Sequence, residues 1–329
     1  MIISRAPYRI SFVGGGTDLR EFYKIEDGQV LSTTIDKYIY VVAKRQTDIV
    51  NYKYRINWSS VEFAKSIDDI KHPIVREALR LLNIDFACEI TTFADIPANS
   101  GLGSSSSFTV ALLKVLLTLM EEKLSNESIA EMAANIEVDI LGRYMGKQDH
   151  YAAAIGGLNK ITFKSTEETI IEPLEISDEG IKNLSSNLLL FFTGYTRDAS
   201  AILKSQVANT PNKFEDLRKM KDLVPDVAEY LQNLNFDKFA LMLDTNWNLK
   251  RSLTSNITNQ EIDKNYNLAI AAGAKGGKLL GAGGGGFLCF YVEKKDHNNV
   301  IQALKHLYHT KFNLENEGVR ILFNLDDNL

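Results

Sequence analysis

The chain has 329 residues, of which 45% are hydrophobic and 24% charged, and its net charge is −5. This composition is typical of a globular protein, the length favours two domains, and a negative charge without a basic tract argues against a nucleic-acid partner. No membrane partner is expected either, because the longest apolar run, residues 110–120, contains Lys114 and Thr118 and is shorter than the ~20 residues of a membrane span.

The first part of the chain predicts strands and helices in alternation. Residues 6–13 and 30–45 are rich in β-branched and aromatic side chains, which is typical of strands, and a glycine turn separates them. Residues 73–82 have helical spacing, with a proline suited to the first turn. A predicted strand over 86–97 leads into a glycine-serine loop, and helices are predicted after that loop and over 127–145.

A charged and loosely patterned stretch, residues 165–185, predicts a domain boundary, which divides the chain into 1–180 and 181–329. The apolar segment NLLLFFTGY predicts a buried strand that opens the second domain. The other elements predicted there are helices over 213–234, 236–273 and 296–309 and the strands FLCFYV and GVRILFNL.

The two cysteines and the N-terminus bear on the cellular compartment. Cys88 and Cys289 each lie in an apolar, strand-like run and are predicted to be buried free thiols. Such thiols suit a reducing compartment, and the N-terminal residues show no basic segment followed by a long apolar core. A cytoplasmic location is therefore expected.

Three glycine-rich stretches stand out, at residues 13–18, 100–107 and 281–287. The third satisfies G-x-G-x-x-G, but a strand follows it where a dinucleotide-binding fingerprint requires a helix, and no P-loop motif is present. A single stretch of this kind would be interpreted as a turn or a linker. Three of them, spread over both predicted domains, indicate one large polyanion that the chain approaches from several sides.

The second stretch contains four consecutive serines, Ser104 to Ser107, at the start of an otherwise apolar helix. One serine is enough for an N-cap, so the row is either a set of redundant caps or an anion site. Glycine allows a close backbone approach, and the free N–H groups and dipole of a helix N-terminus favour negative charge. Since this is the only one of the three stretches that leads into a long helix, it is the expected binding site of a triphosphate, with serine hydroxyls available to Mg²⁺.

A magnesium ion at this loop would also need a carboxylate. On the helix predicted over 127–145, Glu137 and Asp139 lie roughly 80° to either side of the apolar stripe, so helical geometry does not choose between them. Both positions are equally compatible with solvated side chains. Asp149, in the sequence GKQDH, is either a cap for the segment that follows or a functional carboxylate.

The stretches RAPYRISFVGGGTDL, PANSGLGSSSSFTVAL and KLLGAGGGGFLCFY resemble, in order and spacing, the three motifs of the GHMP kinases. That superfamily includes galactokinase, homoserine kinase, mevalonate kinase and phosphomevalonate kinase. GGGTD, TGYTRDAS and WNLKRSLTSNITN further resemble its bacterial D-glycero-D-manno-heptose 7-phosphate kinase branch. Galactokinase has a Glu-His pair at the positions of Gly15 and Gly16, which makes galactose a weaker candidate substrate.

The resemblance implies roles for individual residues. Asp149 would face the attacking hydroxyl with Arg9 beside it, and Ser105 and Glu137 would hold Mg²⁺, which decides between Glu137 and Asp139. The residues implied at the ATP phosphates are Pro97, Ser100, Gly101, Leu102, Gly103, Ser104, Ser105 and Ser106. The residues implied at the sugar substrate are Gly15, Gly16, Thr17, Asp18, Arg197 and Gly284.

The implied fold is a two-domain α+β fold, with a left-handed β-α-β unit in the N-terminal domain and a ferredoxin-like C-terminal domain. The implied activity uses ATP and Mg²⁺ to phosphorylate the anomeric hydroxyl of D-glycero-D-manno-heptose 7-phosphate, giving the 1,7-bisphosphate. The alternatives are a kinase for a fucose- or galactose-like sugar, a decarboxylase of the mevalonate-diphosphate type, and a non-catalytic sensor of sugar and ATP. The expected partners are ATP and a sugar phosphate, and a homodimer is compatible with the resemblance.

Overall fold

The computed structural model describes residues 1–47, 49–196 and 200–325, which form two sheets with helices packed on them. Cys88 and Cys289 are both buried and free, as the sequence predicts. Within these residues, no helix combines the length and the apolar character that crossing a membrane requires.

The larger sheet has nine strands and forms the core of the first domain. Its strands are β1 (Ile2–Val13), β2 (Gly28–Arg45), β3 (Tyr54–Asn57), β4 (Val61–Ala64), β5 (Cys88–Ala94), β6 (Leu158–Phe163), β7 (Thr169–Pro173), β12 (Leu314–Glu315) and β13 (Arg320–Asn324). The main path is β13-β1-β2-β5-β3-β4, in which β3 and β5 are parallel and the other neighbours antiparallel. β12 and β6 pair with β2, and β7 pairs with β6.

The helices of the first domain explain why the segment after the serines is apolar. They are α1 (Arg20–Tyr23), α2 (Pro73–Leu81), α3 (Ser104–Leu119), α4 (Asn126–Ala134), α5 (Gln148–Ile155) and α6 (Asp178–Asn187). α3 packs against β1 and β2 on one side and against α4 and α5 on the other. A helix enclosed in this way is hydrophobic on all faces, and most of its side chains are buried.

The smaller sheet and its helices form the second domain. Its strands are β8 (Leu188–Phe192), β9 (Ala274–Leu279), β10 (Phe287–Val292) and β11 (Tyr308–Thr310), and its helices are α7 (Ser200–Asn209), α8 (Phe214–Gln232), α9 (Phe236–Arg251), α10 (Gln260–Ala271) and α11 (His297–Ala303). The sheet order is β11-β8-β10-β9, with every pair antiparallel. Numbered within this domain the order is 4-1-3-2, and the sequence of elements is that of a ferredoxin-like fold.

The end of the chain returns to the first domain. β12 pairs with β2, and β13 pairs with β1, opposite residues 2–5. The first and last strands of the described chain therefore lie side by side in the larger sheet. The boundary placed after residue 180 falls inside α6 and stays a prediction.

Three predicted helices differ from the observed ones. The helix over 127–145 ends earlier, because α4 passes into a π-helical turn at Asn135–Ile140. The helix over 236–273 is two helices, since residues 252–259 leave the helix and Asn259 caps α10 by accepting the N–H of Ile262 at 2.9 Å. The prediction of a helix over 296–309 is wrong at its C-terminal end, because α11 ends at Ala303 and β11 begins at Tyr308.

Candidate active site

A cleft between the two domains brings together residues from all three glycine-rich segments. Gly15 and Gly16 come from the first segment, Gly101 and Gly103 from the second and Gly281 from the third. The cavity at its centre has a volume of about 170 Å³. The three segments therefore surround a single space, although they are far apart in the sequence.

The second and third segments touch backbone to backbone. A Cβ atom on Gly281 would lie 2.4 Å from the Cα atom of Gly101, and one on Gly286 would lie 2.3 Å from the carbonyl oxygen of Ser100. Gly101 itself has a φ of +84°, in the left-handed region. Contacts this close exclude any side chain at Gly281 and Gly286, so the glycines join the two domains at the cleft.

The four serines at the start of α3 each have a different environment. Gly103 is the N-cap of α3, and none of the serines caps it with a side-chain hydrogen bond. Ser104 accepts a hydrogen bond from the preceding loop at 3.3 Å, and Ser107 donates to a carbonyl of β1 at 2.9 Å. Ser105 donates to a buried carboxylate. Ser106 lines the cleft, and its buried hydroxyl has no hydrogen-bond partner among the described residues.

The carboxylate that accepts from Ser105 is Glu137, whose side chain is fully buried. Glu137 also accepts from Thr109 at 2.7 Å, and His150 Nε2 lies 3.2 Å from its Oε1. Burial by itself raises the pKa of the Glu137 carboxyl, but the contacts with His150 and Ser105 and the charge of Arg143 outweigh it and lower the pKa to about 2. Glu137 is therefore ionised at neutral pH.

Ser105 and Glu137 together fit a magnesium ion. Hydroxyl and carboxylate oxygens are the ligands that Mg²⁺ prefers. Arg143 Nη1 donates to the Ser105 hydroxyl at 2.7 Å and to the Glu137 carboxylate, so a cationic group already contacts this pair of residues. Mg²⁺ usually binds through one or two carboxylates together with phosphates and waters, and the described residues contain no cluster of three or more His, Cys, Asp or Glu side chains suited to a metal. Asp139 instead pairs with Arg20 at 2.6 Å.

Arg9 and Asp149 form a bidentate ion pair in the cleft. Arg9 Nε and Nη2 each donate to one carboxylate oxygen of Asp149 at 2.7 Å, and Arg9 Nη1 donates to the carbonyl of Gly101 at 2.6 Å. A Cβ atom on Gly103 would lie 3.3 Å from Asp149 Oδ2, so the carboxylate lies directly beside the start of α3. Asp149 is in the first turn of α5, but its side chain does not cap that helix.

Asp18 also lines the cleft and is almost fully buried. Its carboxylate accepts hydrogen bonds from the backbone N–H of Gly16 at 2.9 Å and of Gln148 at 3.3 Å. Burial, followed by the negative charge of Asp149, raises the pKa of Asp18. Thr17 does not line the cleft, since its hydroxyl donates to the carbonyl of Gly14 and stabilises the turn.

Two buried lysines of the second domain also line the cleft. Lys278, on β9, donates to the carbonyls of Ser11 and Phe12 at 2.8 and 2.7 Å. Lys250, on α9, donates to the carbonyl of Gly281. Burial, followed by the positive charges of neighbouring groups, holds the pKa of Lys278 well below its usual range and lowers that of Lys250 to about 8.

Four other residues implied by the resemblance are not among those that line the cavity: Pro97, Ser100, Leu102 and Gly284. Pro97 is exposed, Leu102 is buried, and Gly284 donates its N–H to the carbonyl of Ile257 at 2.9 Å without lining the cavity. Arg197 lies outside the described residues.

Sequence reasoning missed four polar residues at the site. Thr109 could have been found, because it lies one turn after Ser105 on the same helix. Nothing in the local sequence marks Arg143, His150 or Lys278, whose positions depend on the packing of separate elements.

Comparison with known proteins agrees with the motifs. Residues 72–157 match the GHMP kinases N terminal domain, and residues 227–310 match the GHMP kinases C terminal domain. The chain is 31% identical to the D-glycero-alpha-D-manno-heptose 7-phosphate kinase of Campylobacter jejuni, over 97% of this chain and 98% of that protein. It is 23% identical to the galactokinase of Pyrococcus furiosus, over 94% of this chain and 94% of that protein.

The fold also matches solved structures. A D-glycero-D-manno-heptose 1-phosphate kinase from Bacteroides thetaiotaomicron superposes with a TM-score of 0.82 at 26% identity, over 98% of this chain and 99% of that one. Lactococcus lactis galactokinase shares the fold, with a TM-score of 0.75 at 16% identity over 97% of this chain and 94% of that one.

Proposed function

The chain belongs to the GHMP kinases, and from this premise we propose that it transfers the γ-phosphoryl group of ATP to the anomeric hydroxyl of D-glycero-D-manno-heptose 7-phosphate. The products are the 1,7-bisphosphate and ADP. The observation that carries the proposal is the Arg9–Asp149 pair beside the N-terminus of α3, which places a carboxylate next to an anion-binding helix end. The choice of sugar rests on the Campylobacter jejuni relative.

The triphosphate would bind at the start of α3. The backbone N–H groups of the first turn have no partner within the helix, and the dipole favours negative charge there. The Ser106 hydroxyl, buried and unpartnered within the described residues, is a donor available to a phosphate oxygen. Ser105 and Glu137 would hold Mg²⁺, which when bound neutralises charge on the phosphates and polarises the phosphoryl oxygens.

Asp149 would act on the acceptor. Its carboxylate would accept the proton of the anomeric hydroxyl as the new bond forms between that oxygen and the γ-phosphorus, and the bond from this phosphorus to the β,γ-bridging oxygen breaks to release ADP. Arg9 donates to both carboxylate oxygens and fixes the orientation of Asp149. An anomeric hydroxyl is more acidic than an ordinary alcohol, so the demand on this base is modest.

The sugar would lie between Asp149 and the wall formed by Gly15, Gly16 and Asp18. Asp18 has a carboxylate in the cleft whose backbone contacts fix its orientation, which suits it to accept hydrogen bonds from sugar hydroxyls. The glycines leave room for a large acceptor. ATP as the donor and the buried thiols Cys88 and Cys289 are consistent with a cytoplasmic enzyme.

An ADP-release assay with a panel of acceptors tests the proposal. The panel contains heptose 7-phosphate, heptose 1-phosphate, unphosphorylated heptose, galactose and fucose, and phosphorus NMR identifies the position of the new phosphate. We expect the highest kcat/KM with heptose 7-phosphate and a new phosphorus signal coupled to the anomeric proton. A preference for heptose 1-phosphate, the substrate class of the Bacteroides thetaiotaomicron neighbour, would assign the other end of the sugar as the acceptor.

A further inference from the structure

Lys250 brings a positive charge from the second domain into the cleft. It lies on the buried face of α9 with Leu243, Asn246 and Trp247, at helical spacing, and only 7% of its surface is exposed. The next residue, Arg251, points elsewhere and pairs with Asp263 at 2.9 Å. Burying a lysine on this face of the helix lowers the stability of the fold, so the residue is expected to serve another purpose.

The ammonium group of Lys250 has three N–H donors, which is more than the hydrogen-bond acceptors found for it among the described residues. Its one hydrogen-bond acceptor in the described part of the chain is the carbonyl of Gly281, and it forms no ion pair with the carboxylates described there. A buried ammonium with one neutral acceptor and no ion-pair partner is unfavourable unless an anion arrives to pair with it. Burial and the nearby charge of Arg9 lower the pKa of Lys250, and the attraction of Asp18 and Asp149, neither of which is within ion-pair distance, only partly opposes them.

The other charges of the cleft are already balanced or satisfied. Arg9 and Asp149 neutralise each other in a bidentate pair, and Lys278 is held by two backbone carbonyls. Asp18 is held by two backbone N–H groups. Among the described residues, Lys250 differs from Arg9 in having no ion-pair partner and from Lys278 in having one backbone acceptor instead of two.

The contacts of Gly281 locate Lys250 along the cleft. Gly281 packs on Gly101, and Arg9, which grips Asp149, donates to the carbonyl of the same Gly101. Lys250 and Arg9 are therefore anchored to two backbone segments in direct contact, at the end of the cleft where the start of α3 meets Asp149. Lys250 is therefore near Asp149, the proposed base, whose charge it senses.

We propose that Lys250 binds the phosphoryl group in transfer between ATP and the acceptor. The proposal rests on the kinase function above and concerns the same reaction, in which Lys250 stays protonated while the acceptor proton goes to Asp149. The transferring group spreads its charge over three equatorial oxygens, and the ammonium offers two N–H donors to them. Since Lys250 comes from the second domain, this contact makes phosphoryl transfer depend on both domains.

The test compares Lys250→Met with Arg251→Met, a neighbouring substitution of the same kind outside the cleft. We would measure kcat and KM for ATP and for the acceptor that the wild type uses best, in phosphorylated and unphosphorylated form, and the affinity for a non-hydrolysable ATP analogue. We expect Lys250→Met to lower kcat about 10²- to 10³-fold with both forms, as for the loss of one group that stabilises a transition state. Arg251→Met should stay within about twofold.

A second variant covers the outcome that Lys250→Met does not fold. Lys250→Ala should be partly rescued by added ethylammonium, which a purely structural lysine would not show. A kcat within about threefold of the wild type, or a loss confined to KM of the phosphorylated acceptor, overturns the proposal. A wild type inactive with every sugar would instead refute the kinase function, so the two failures are distinguished before any variant is made.

Discussion

Glu137 shows, at the scale of one residue, how the chain keeps a fully buried carboxylate ionised. Its two oxygens receive hydrogen bonds from Ser105, Thr109 and Arg143, with His150 beside them. Ser105 and Thr109 lie on α3, Arg143 lies in the loop after the π-helical turn, and His150 lies on α5. The site therefore exists only in the folded protein. This concentration of donors offsets the cost of burying the charge and leaves an anion suited to a divalent cation.

Glu137→Gln should therefore lower kcat by about 10²-fold or more, because the amide keeps the shape but not the charge. The matched control is Asp139→Asn, since Asp139 lies two residues away and pairs with Arg20 in a largely exposed position. The measurement is kcat at saturating Mg²⁺ together with the melting temperature of each variant. Equal losses of kcat in the two variants, at unchanged melting temperatures, would contradict the assignment of Glu137 to the metal.

Asp149→Asn tests the proposed base. The amide cannot accept the hydroxyl proton and loses the charge that Arg9 binds, so kcat should fall about 10²- to 10⁴-fold. The dissociation constant for ATP, measured by calorimetry, should change much less, because Asp149 is proposed to face the acceptor. A kcat within a few-fold of the wild type would show that the Arg9–Asp149 pair is structural.

At the scale of elements, the sequence predicted what local patterns determine and missed what packing determines. The glycine stretches, α3 and the strands β1, β2, β5 and β10 follow from composition and periodicity. The split after Arg251 was missed because Leu253 and Ile257 continue the helical spacing of apolar residues through a segment that is otherwise polar. The strand β11 was missed because a three-residue edge strand has no periodicity. The site followed the same rule: the family resemblance indicated Ser105 and Glu137, which are hydrogen-bonded to each other, but the positions of Arg143 and Lys278 depend on tertiary contacts.

Gly281→Ala tests the contact between the two glycine segments. Gly281 and Gly142 both have positive φ, +73° and +62°, but a Cβ would meet the Gly101 backbone in the first case and nothing within 4 Å in the second. Gly142→Ala should therefore cost only the strain of a left-handed alanine, about 1 kcal/mol of unfolding free energy. Gly281→Ala should cost more and also raise KM for ATP. Equal effects of the two substitutions on stability and KM would show that the contact is unimportant.

At the scale of the whole molecule, the first and last strands of the described residues pair in one sheet. The second domain lies between strands of the first, because β12 and β13 return to pair with β2 and β1. Glu315 on β12 holds this closure by accepting hydrogen bonds from Tyr38 on β2 and from Arg5 on β1. Because β12 and β13 pair with the central strands β2 and β1, we expect that weakening their contacts destabilises the whole larger sheet, which carries Arg9 and one side of the cleft.

Glu315→Gln tests this closure, with Glu317→Gln as its control. Both carboxylates contact Arg5, at 3.4 and 3.6 Å, but the Glu315 side chain is 15% exposed and that of Glu317 is 56% exposed. In urea unfolding at pH 7, Glu315→Gln should lose about 1 to 2 kcal/mol of unfolding free energy, and Glu317→Gln less than about 0.5 kcal/mol. Similar losses of unfolding free energy in both variants would mean that only the removal of a surface charge matters, and not the contacts of Glu315 with β1 and β2.

The stabilisation that Glu315 provides should also depend on pH in a predictable direction. Burial raises the pKa of Glu315, but hydrogen bonds from Tyr38 and the Glu317 backbone and the charge of Arg5 outweigh it, so the folded pKa lies below its ordinary value of 4.5. A depressed carboxyl pKa stabilises the fold above the unfolded value, and this contribution is lost as the pH falls through the folded value. The difference between wild type and Glu315→Gln should therefore be constant from pH 6 to 7 and shrink below about pH 4.5. A difference that persists unchanged into acid would show that the charge of Glu315 does not hold the two ends of the chain together.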